Sequence, residues 1–580
     1  MKTPLSCCLA TFPHFMRQKF LCFSALSVFL ICGNAANSSA ETWRSSLYPE
    51  NWQPGFADAQ GHFLHDFSYA GYHRGEKPLP DRTGNVIDVT KPPYGADKTG
   101  VNDSSIAIQA ALDKADADGG GVAFMPAGTY RVSPKGEANF ALQLSGDNVV
   151  LRGEGTDKTF LYNDSLEMRK KNVILVTPKI PINWSTENMI TAKVTEDLLK
   201  PARAIPVEDT SAFKVGGLIF IRSDITQRFI DELGMNGIWT AGAPYPCGII
   251  YCRRVTAVNA ANKTISVDTP LRGFLRLDDN LRIKIPKAGR MLTESGLENF
   301  SIGMKQHPGG RVDVDFEKNL PEGTAGYAMH WATAVKFEAT ENCWIRHVNS
   351  YRPEGNAPDI HIQSHGIRLF ACRQLTVESC QWGFPQYRGE GGNGYMFTLY
   401  SCNDCLIKNC EGESGRHNFS FGEMASNGNV ILNFHCKDGR LPSDFHMFFS
   451  LANLVDNAIC EGDLVQSIPR NNVKHGVTTT QSVFWNTEGR RYQNDFIYRD
   501  IPNKGSQFIV QSKQWGDGYV IGTRGPASAV ETTNFSEGIG KGDSLAPKSL
   551  YEDQLQRRLA HEAASTPPAK RDGLVPELGR

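Results

Sequence analysis

Histidine, arginine, aspartate and asparagine recur at one place on successive segments of this chain. Together these residue types can move a proton and hold an anion. The segments are Ser364-His365-Gly366-Ile367-Arg368, Gly392-Asn393-Gly394-Tyr395, Gly415-Arg416-His417-Asn418-Phe419-Ser420-Phe421, Ser443-Asp444-Phe445-His446-Met447-Phe448-Phe449 and Lys474-His475-Gly476. Four of the five carry histidine at matching positions, and His330 could begin the column one coil earlier.

Strand parity sorts these side chains, because neighbours along a strand point to opposite faces. With Phe419 and Phe421 inward, Arg416, Asn418 and Ser420 share the outward face. With Met447 and Phe449 inward, Asp444 and His446 face out together. Aligning the two segments by these apolar residues puts Arg416 beside Asp444 and Asn418 beside His446. That is an exposed cluster of an acid, a base and two donors, with His446 expected near its reference pKa of ~6.5. A surface ion pair is the plain alternative and contributes only ~0–1 kcal/mol. The density of such groups on adjacent segments favours a catalytic site made of His446, Asp444, Arg416 and Asn418. The same parity turns His365, His417 and His475 inward unless a corner rotates them. His417 is then the reserve base, and Glu423, just beyond the strand, a second carboxylate. His365, Asn393, Arg388, His475, Tyr395 and Trp485 are candidates for substrate contact. Aromatic faces can stack on sugar rings, and Trp331, Trp382, Tyr387, Tyr395 and Trp485 lie on or near these segments, where most are expected to be packing residues.

The elements that must position these groups are repeats. Glu341-Asn-Cys-Trp-Ile-Arg-His-Val, Cys372-Arg-Gln-Leu-Thr-Val-Glu-Ser, Asn403-Asp-Cys-Leu-Ile-Lys-Asn-Cys, Asn427-Gly-Asn-Val-Ile-Leu-Asn-Phe and Val455-Asp-Asn-Ala-Ile-Cys-Glu-Gly recur every ~24–32 residues, the length of one solenoid coil. Coils of short parallel strands stack ~4.8 Å apart, so residues distant in sequence form columns. From 184 to 290 the pattern changes: Ala202 to Val207, Leu218 to Ile221, Arg253 to Val258 and Thr264 to Val267 alternate like antiparallel strands. This reads as a small β subdomain inserted between coils, able to wall a cleft. The organisation is thus a leader (1–40), an aromatic extension (41–85), first coils (86–183), the insertion (184–290), coils carrying the site (291–525) and a polar tail (526–580), partly helical or disordered.

The first coils open distinctively. Val86-Ile-Asp-Val-Thr-Lys-Pro-Pro-Tyr-Gly95-Ala-Asp97-Lys-Thr-Gly100-Val-Asn-Asp103 leads into Ile108, Ala111, Leu112 and Ala115 at helical spacing. Asp103 is placed to cap that helix. Gly119 to Gly121 end it, Val122 to Met125 form a strand, and Pro126-Ala-Gly128-Thr-Tyr130 makes a turn. An amphipathic helix here is the cap that an exposed first coil requires. This stretch resembles the opening of the pectate-lyase-like superfamily. The resemblance implies an all-β, single-stranded right-handed parallel β-helix and action on long polysaccharides. The chain departs from the calcium-dependent pectate lyases in lacking an evident cluster of aspartates on adjacent coils. No cofactor is therefore expected, although calcium remains open.

A net charge of −1 over 580 residues gives no global case for nucleic acid. Arg17 and Lys19 precede an apolar run from Phe20 to Cys32, and Ser38-Ser39-Ala40 offers small residues for cleavage. This is the pattern of a secretory leader cut after Ala40, giving a periplasmic or secreted protein. The run is short for a membrane span, and no later segment could cross a bilayer. Of 14 cysteines, four (Cys7, Cys8, Cys22 and Cys32) leave with the leader. Cys247 and Cys252 could close a small disulfide loop. The eight from Cys343 to Cys460 are expected to stack inside the coils, and the lone Cys402-x-x-Cys405 is not expected to bind metal. The sequence carries no signal for an oligomeric state.

Three activities fit. A lyase acting on an anionic, uronate-containing polysaccharide needs its carboxylate neutralised (Arg416, Asn418) and a base for the C5 proton (His446, oriented by Asp444). A glycoside hydrolase would use Asp444 and Glu423 as paired carboxylates. A non-catalytic glycan binder would use the same cluster only for contact. The His/Arg bias favours an anionic substrate and places the lyase first.

Overall fold

A computed structural model describes residues 42–565 apart from 187, 314–317, 319–320, 494–496, 499–500 and 503–505. The leader, residues 1–40, lies outside the described residues. Among the described residues no helix is long and apolar enough to cross a membrane.

The chain winds into a parallel β-helix. One long parallel sheet runs from Gly121–Met125 through Trp344–Ser350 and Leu406–Lys408 to Phe535–Glu537. A second, ten-stranded parallel sheet contains β1 (Asn172–Val176), β2 (Thr333–Glu338), β3 (His365–Phe370), β4 (Tyr395–Tyr400), β5 (His417–Gly422), β6 (Ser443–Met447) and β7 (Val465–Ser467), stacked in that order. Two further parallel strands, Val530–Thr532 and Phe535–Glu537, follow position 525.

The interior is filled by side chains that repeat coil after coil. Phe397, Phe419, Phe421 and Phe445 are fully or almost fully buried in one core. The rings of Phe421 and Phe445 stack at 4.8 Å. All eight cysteines from Cys343 to Cys460 are buried free thiols, small residues that fit where coils pack closely. Cys247 and Cys252 are also free: Cys252 lies within the ten-residue strand Ile250–Asn259, which fixes its direction.

The helix α1 (Ser105–Ala117) covers the first coil with Ile108, Ala111, Leu112 and Ala115 buried. Ser104 occupies the position before the helix, while the Asp103 carboxylate still accepts the Ser105 N–H at 2.9 Å. At the other end α2 (Leu550–Ser565) is docked rather than free. Tyr551 Oη–H donates to the Ala70 carbonyl at 2.8 Å, and Arg558 Nε–H donates to Ser68 Oγ at 2.9 Å. The extension before residue 85 and α2 thus cover one outer face together. Trp485 belongs to that cover. It is fully buried against Tyr48, and its indole N–H donates to the Pro547 carbonyl, so it is unavailable to a substrate.

Between β1 and β2 the chain builds a six-stranded antiparallel sheet from Met189–Lys193 to Arg282–Pro286. Its strands Ala202–Pro206, Leu218–Arg222, Ile250–Asn259 and Thr264–Leu271 overlap the four alternating segments in the sequence. Its apolar core continues onto the coils through Phe448, Phe449 and Leu451. A buried polar network pins it there. Asp404, on a coil, accepts from Arg272 at 2.8 Å and pairs with Arg253 at 3.2 Å, both guanidiniums coming from the insertion. Arg253 also donates to the side-chain oxygens of Asn403 and Asn427 on successive coils.

Removing Asp404 would leave two buried guanidiniums without their counter-charge. Asp404→Ala is expected to destabilise the protein by ~3–5 kcal/mol, read as a lower denaturant midpoint. A loss below ~1 kcal/mol would show that the network does not hold the insertion.

Candidate active site

The register of the ten-stranded sheet lines up one outward residue per coil: Leu175, Lys336, Arg368, Thr398, Ser420, Asp444 and Gln466. Asp444 is the hub. Ser420 Oγ–H donates to its Oδ1 at 2.9 Å. Its Oδ2 accepts from His446 Nδ1–H at 2.9 Å and from Arg470 Nη2 at 2.5 Å. His417 Nδ1 lies 3.4 Å from the same oxygen and 2.5 Å from the Pro442 carbonyl.

These contacts fix the tautomers. A ring nitrogen facing a carbonyl or carboxylate oxygen carries the proton, so Nε2 is the basic atom of both His417 and His446. His446 Nε2 accepts from Tyr395 Oη–H at 3.2 Å. His417 Nε2 is buried and has no hydrogen-bond partner. Its ring lies 4.7 Å from the Tyr395 ring and 5.1 Å from that of His446. His365 and His475 extend the group, at 5.6 Å from Tyr395 and 5.0 Å from His446.

Burial dominates the titration of these groups. It pushes His417, His446 and His365 well below the usual imidazole value, with Arg470, Arg416 and Arg368 adding to the effect on one ring or another. His475 is lowered for the same reason. Burial raises Tyr395, although Arg416 opposes it. The site therefore holds neutral imidazoles beside a protonated phenol. His446 is neither exposed nor near its reference value; Asp444 and His446 are buried on the outward side of the sheet, not in the apolar core.

The alignment expected from sequence is displaced. Phe421 pairs with Phe445, so Asp444 sits beside Ser420 rather than Arg416, and an irregularity follows. The outward parity of Asp444 and His446 holds, but Asn418 leaves the cluster. Its amide donates to the Lys437 carbonyl and to Asp463, both at 2.9 Å, inside the corner where the coils turn. Burial there raises Asp463 to about 7. His417, at the start of β5, takes the place expected for Asn418. Arg416 remains at the site: its guanidinium carbon is 5.8 Å from the Tyr395 ring centre, and Nη1–H donates to the Gly389 carbonyl.

The other candidates divide. Arg388 is committed to Asp313 at 2.7 Å and is not open to substrate. Asn393 is buried and fully bonded, receiving the Trp331 N–H and donating to the Glu390 carbonyl and His330 Nδ1. Trp382 and Tyr387 are packing residues. Glu423 is raised by burial and held by Ser401 Oγ and, at 3.4 Å, by Tyr245 Oη of the insertion. Asp444 accepts from Ser420, His446 and Arg470, so it and Glu423 are held by separate sets of partners.

Arg470, Arg368 and Tyr245 were missed by sequence reasoning, and Ser420 was placed on the outward face without a role. Ser420 and Arg368 share the outward parity of Asp444 and were open to discovery by it. Arg470 lies in a loop, and Tyr245 comes from the insertion, so no spacing announces either. The ligand atoms of His417, Asp444 and His446 lie within 4.8 Å of one another, as a metal site would need. The donor set does not suit one: both Nδ1 atoms are hydrogen-bond donors, and Arg470 already supplies the positive charge at Asp444.

Comparison with known proteins supplies the family context. Residues 87–198 match the family model described as rhamnogalacturonase A/epimerase, pectate lyase-like. The fold is that of the pectate-lyase-like parallel β-helices. The match stops well before the site. The chain is similar to the mannuronan C5-epimerase AlgE6 of Azotobacter vinelandii, at 43% identity over 75 residues, 13% of this chain and 9% of that protein. It is similar to alginate lyase 7 of the same organism, at 40% identity over 68 residues, 12% of this chain and 8% of that protein. The chain thus spans about a tenth of these curated relatives. Among solved structures, the tailspike gp61 of Pseudomonas phage phi297 aligns with a TM-score of 0.44 and 12% identity, covering 79% of this chain and 72% of that one.

Neither His417 nor His446 is expected to bind a proton between about pH 7.5 and about pH 6, so both keep the imidazole ¹⁵N shifts of a neutral ring. In the unfolded chain they titrate near ~6.5. Folded rings then hold fewer protons than unfolded ones, and acidification below that value weakens the fold through them. His417→Asn should therefore lose less Tm than the wild type between about pH 7 and about pH 5.5.

Proposed function

We propose that this protein acts on a uronate-containing polysaccharide by removing the C5 proton, with β-elimination as the outcome. The observation that carries the reading is the convergence of an unpartnered, neutral His417 Nε2 with the Tyr395 phenol and the Arg416 guanidinium. A carboxylate next to C5 makes that proton removable only if its charge is neutralised, which is the role of Arg416.

His417 Nε2 takes the C5 proton. Asp444 Oδ2, 3.4 Å from Nδ1, stabilises the resulting imidazolium. The freed electron pair forms the C4–C5 double bond as the C4–O bond breaks, and Tyr395 donates its phenolic proton to the departing oxygen. His446, itself held by Asp444, orients Tyr395. Exchange with water returns one proton to Tyr395 and removes one from His417, so the enzyme ends as it began. The base assigned here is His417; His446 becomes the partner of the acid.

A second reading shares the first step. If a proton returns to C5 on the opposite face, the product is an epimer, and the likeness to both a mannuronan C5-epimerase and an alginate lyase supports either branch. Mannuronan in heavy water separates them. Elimination gives shorter chains with an unsaturated, ultraviolet-absorbing end. Epimerisation gives deuterium at C5 with chain length kept, and hydrolysis gives new reducing ends with neither mark. His417→Ala should lower turnover by ~10²–10⁴-fold, the scale for losing a general base. Full activity in that variant, or reducing ends alone, would overturn the assignment.

Export is part of this reading, since such polymers lie outside the cytoplasm. The mature protein is expected to begin at Glu41, as N-terminal mass spectrometry of the periplasm or medium would show. Recovery there of a chain still starting at Met1 would contradict it.

A further inference from the structure

The column of outward residues continues past the proposed reacting groups. Arg368, on β3, stands three coils from Asp444, ~14 Å at the spacing of parallel strands. It is partly buried and, among the described residues, has no carboxylate partner. Its charge is felt by Tyr395, Tyr400 and Glu423, which ties it to the same cluster. Burial weakens its hold on its proton, as for any cation taken from water without a counter-ion.

Beside it is Trp331, whose indole centre lies 5.3 Å from the Arg368 guanidinium carbon. Trp331 is 39% exposed, unusual for so large an apolar side chain. Its φ of 57° is a left-handed value that bulky residues avoid. Two hydrogen bonds hold it there: its backbone N–H donates to Asn393 Oδ1 and its indole N–H to the Gly391 carbonyl, each at 2.8 Å. Arg169 and Lys170 add positive charge, both acting with Arg368 on neighbouring His330. A strained, anchored, exposed aromatic next to an unpaired, partly buried cation suits a ligand with an apolar ring face and a carboxylate.

We infer that Trp331 and Arg368 form a remote subsite for one uronate of the polymer, several sugars away from the bond that reacts. The exposed indole surface packs on the pyranose ring, and Arg368 pairs with its carboxylate. The inference rests on the proposed action on polyuronates and adds a length requirement to it. A chain reaching from Asp444 to Arg368 gains both contacts, and a short oligomer gains only those near Tyr395.

The test is calorimetric binding of mannuronate oligomers, a dimer and an octamer, to the His417→Ala protein so that nothing is turned over. Adding Trp331→Ala or Arg368→Gln should weaken the octamer by ~5–30-fold, the scale for truncating a buried anchor. The ratio of octamer to dimer affinity should fall towards one. Arg368→Gln should also flatten the salt dependence of octamer binding, and Arg368→Lys should restore part of it. Octamer affinity unchanged in folded Trp331→Ala and Arg368→Gln proteins, checked by thermal unfolding, would overturn the subsite and leave the proposed reaction standing. Failure of the parent protein to bind the octamer, with mannuronan untouched by the wild type, would overturn both.

Discussion

The hydrogen-bonded ladder between parallel coils is the constraint on which everything else depends. Because each coil repeats the backbone path of the last, a residue's neighbours are set by register rather than by sequence distance. Phe421 over Phe445 inside and Ser420 beside Asp444 outside are two faces of one pairing. The ladder cannot slip by one residue without exposing the phenylalanines, so the apolar interior fixes the polar column. The chemistry on the outer wall is therefore positioned by packing on the inner one.

Within that frame a single carboxylate organises the site. Asp444 gathers Ser420, His446 and Arg470, with His417 close by. A buried aspartate with one histidine would be a poor bargain in desolvation; the guanidinium of Arg470 makes the negative charge tolerable. Both imidazoles stay neutral because burial, with the nearby Arg470 and Arg416 guanidiniums, outweighs the pull of Asp444 on His417. The same burial that keeps the rings unprotonated keeps Tyr395 protonated. A neutral imidazole and a protonated phenol thus coexist at one pH.

The fold was legible because its signals are local. The opening helix, its glycine stop and the coil-length repeats beginning at Glu341, Cys372, Asn403, Asn427 and Val455 each describe one coil, and stacking coils adds no new sequence rule. The alternating strands of the insertion were legible for the same reason. The site was only half legible. Parity placed Asp444 and His446 outward, because alternation holds inside a strand. It failed at Asn418 and His417, where the strand begins and the corner rotates the side chains before the alternation sets in. It also failed for Asn393 and Trp485, whose polar or aromatic character suggested contact with a ligand. The structure spends Asn393 on holding a turn and Trp485 on the cover made by the N-terminal extension. Covering elements from the far ends of the chain leave no periodic trace.

The insertion shows why the missing residues matter. It is bound to the coils by Arg253 and Arg272 at Asp404, on the side where Phe448 and Phe449 join its apolar core. That attachment brings Tyr245 to Glu423 and sets the ring of Tyr245 against Phe448, which in turn contacts His475. A continuous series of aromatic contacts then leads from the insertion through His475 and His446 to Tyr395. A parallel β-helix alone offers a wall. The insertion adds a second packed surface beside it, fixed by buried charge, and burial at the cluster lowers the imidazoles and raises the phenol. The remote arginine network is thus linked to the imidazole and phenol cluster through packing, although it touches none of its atoms.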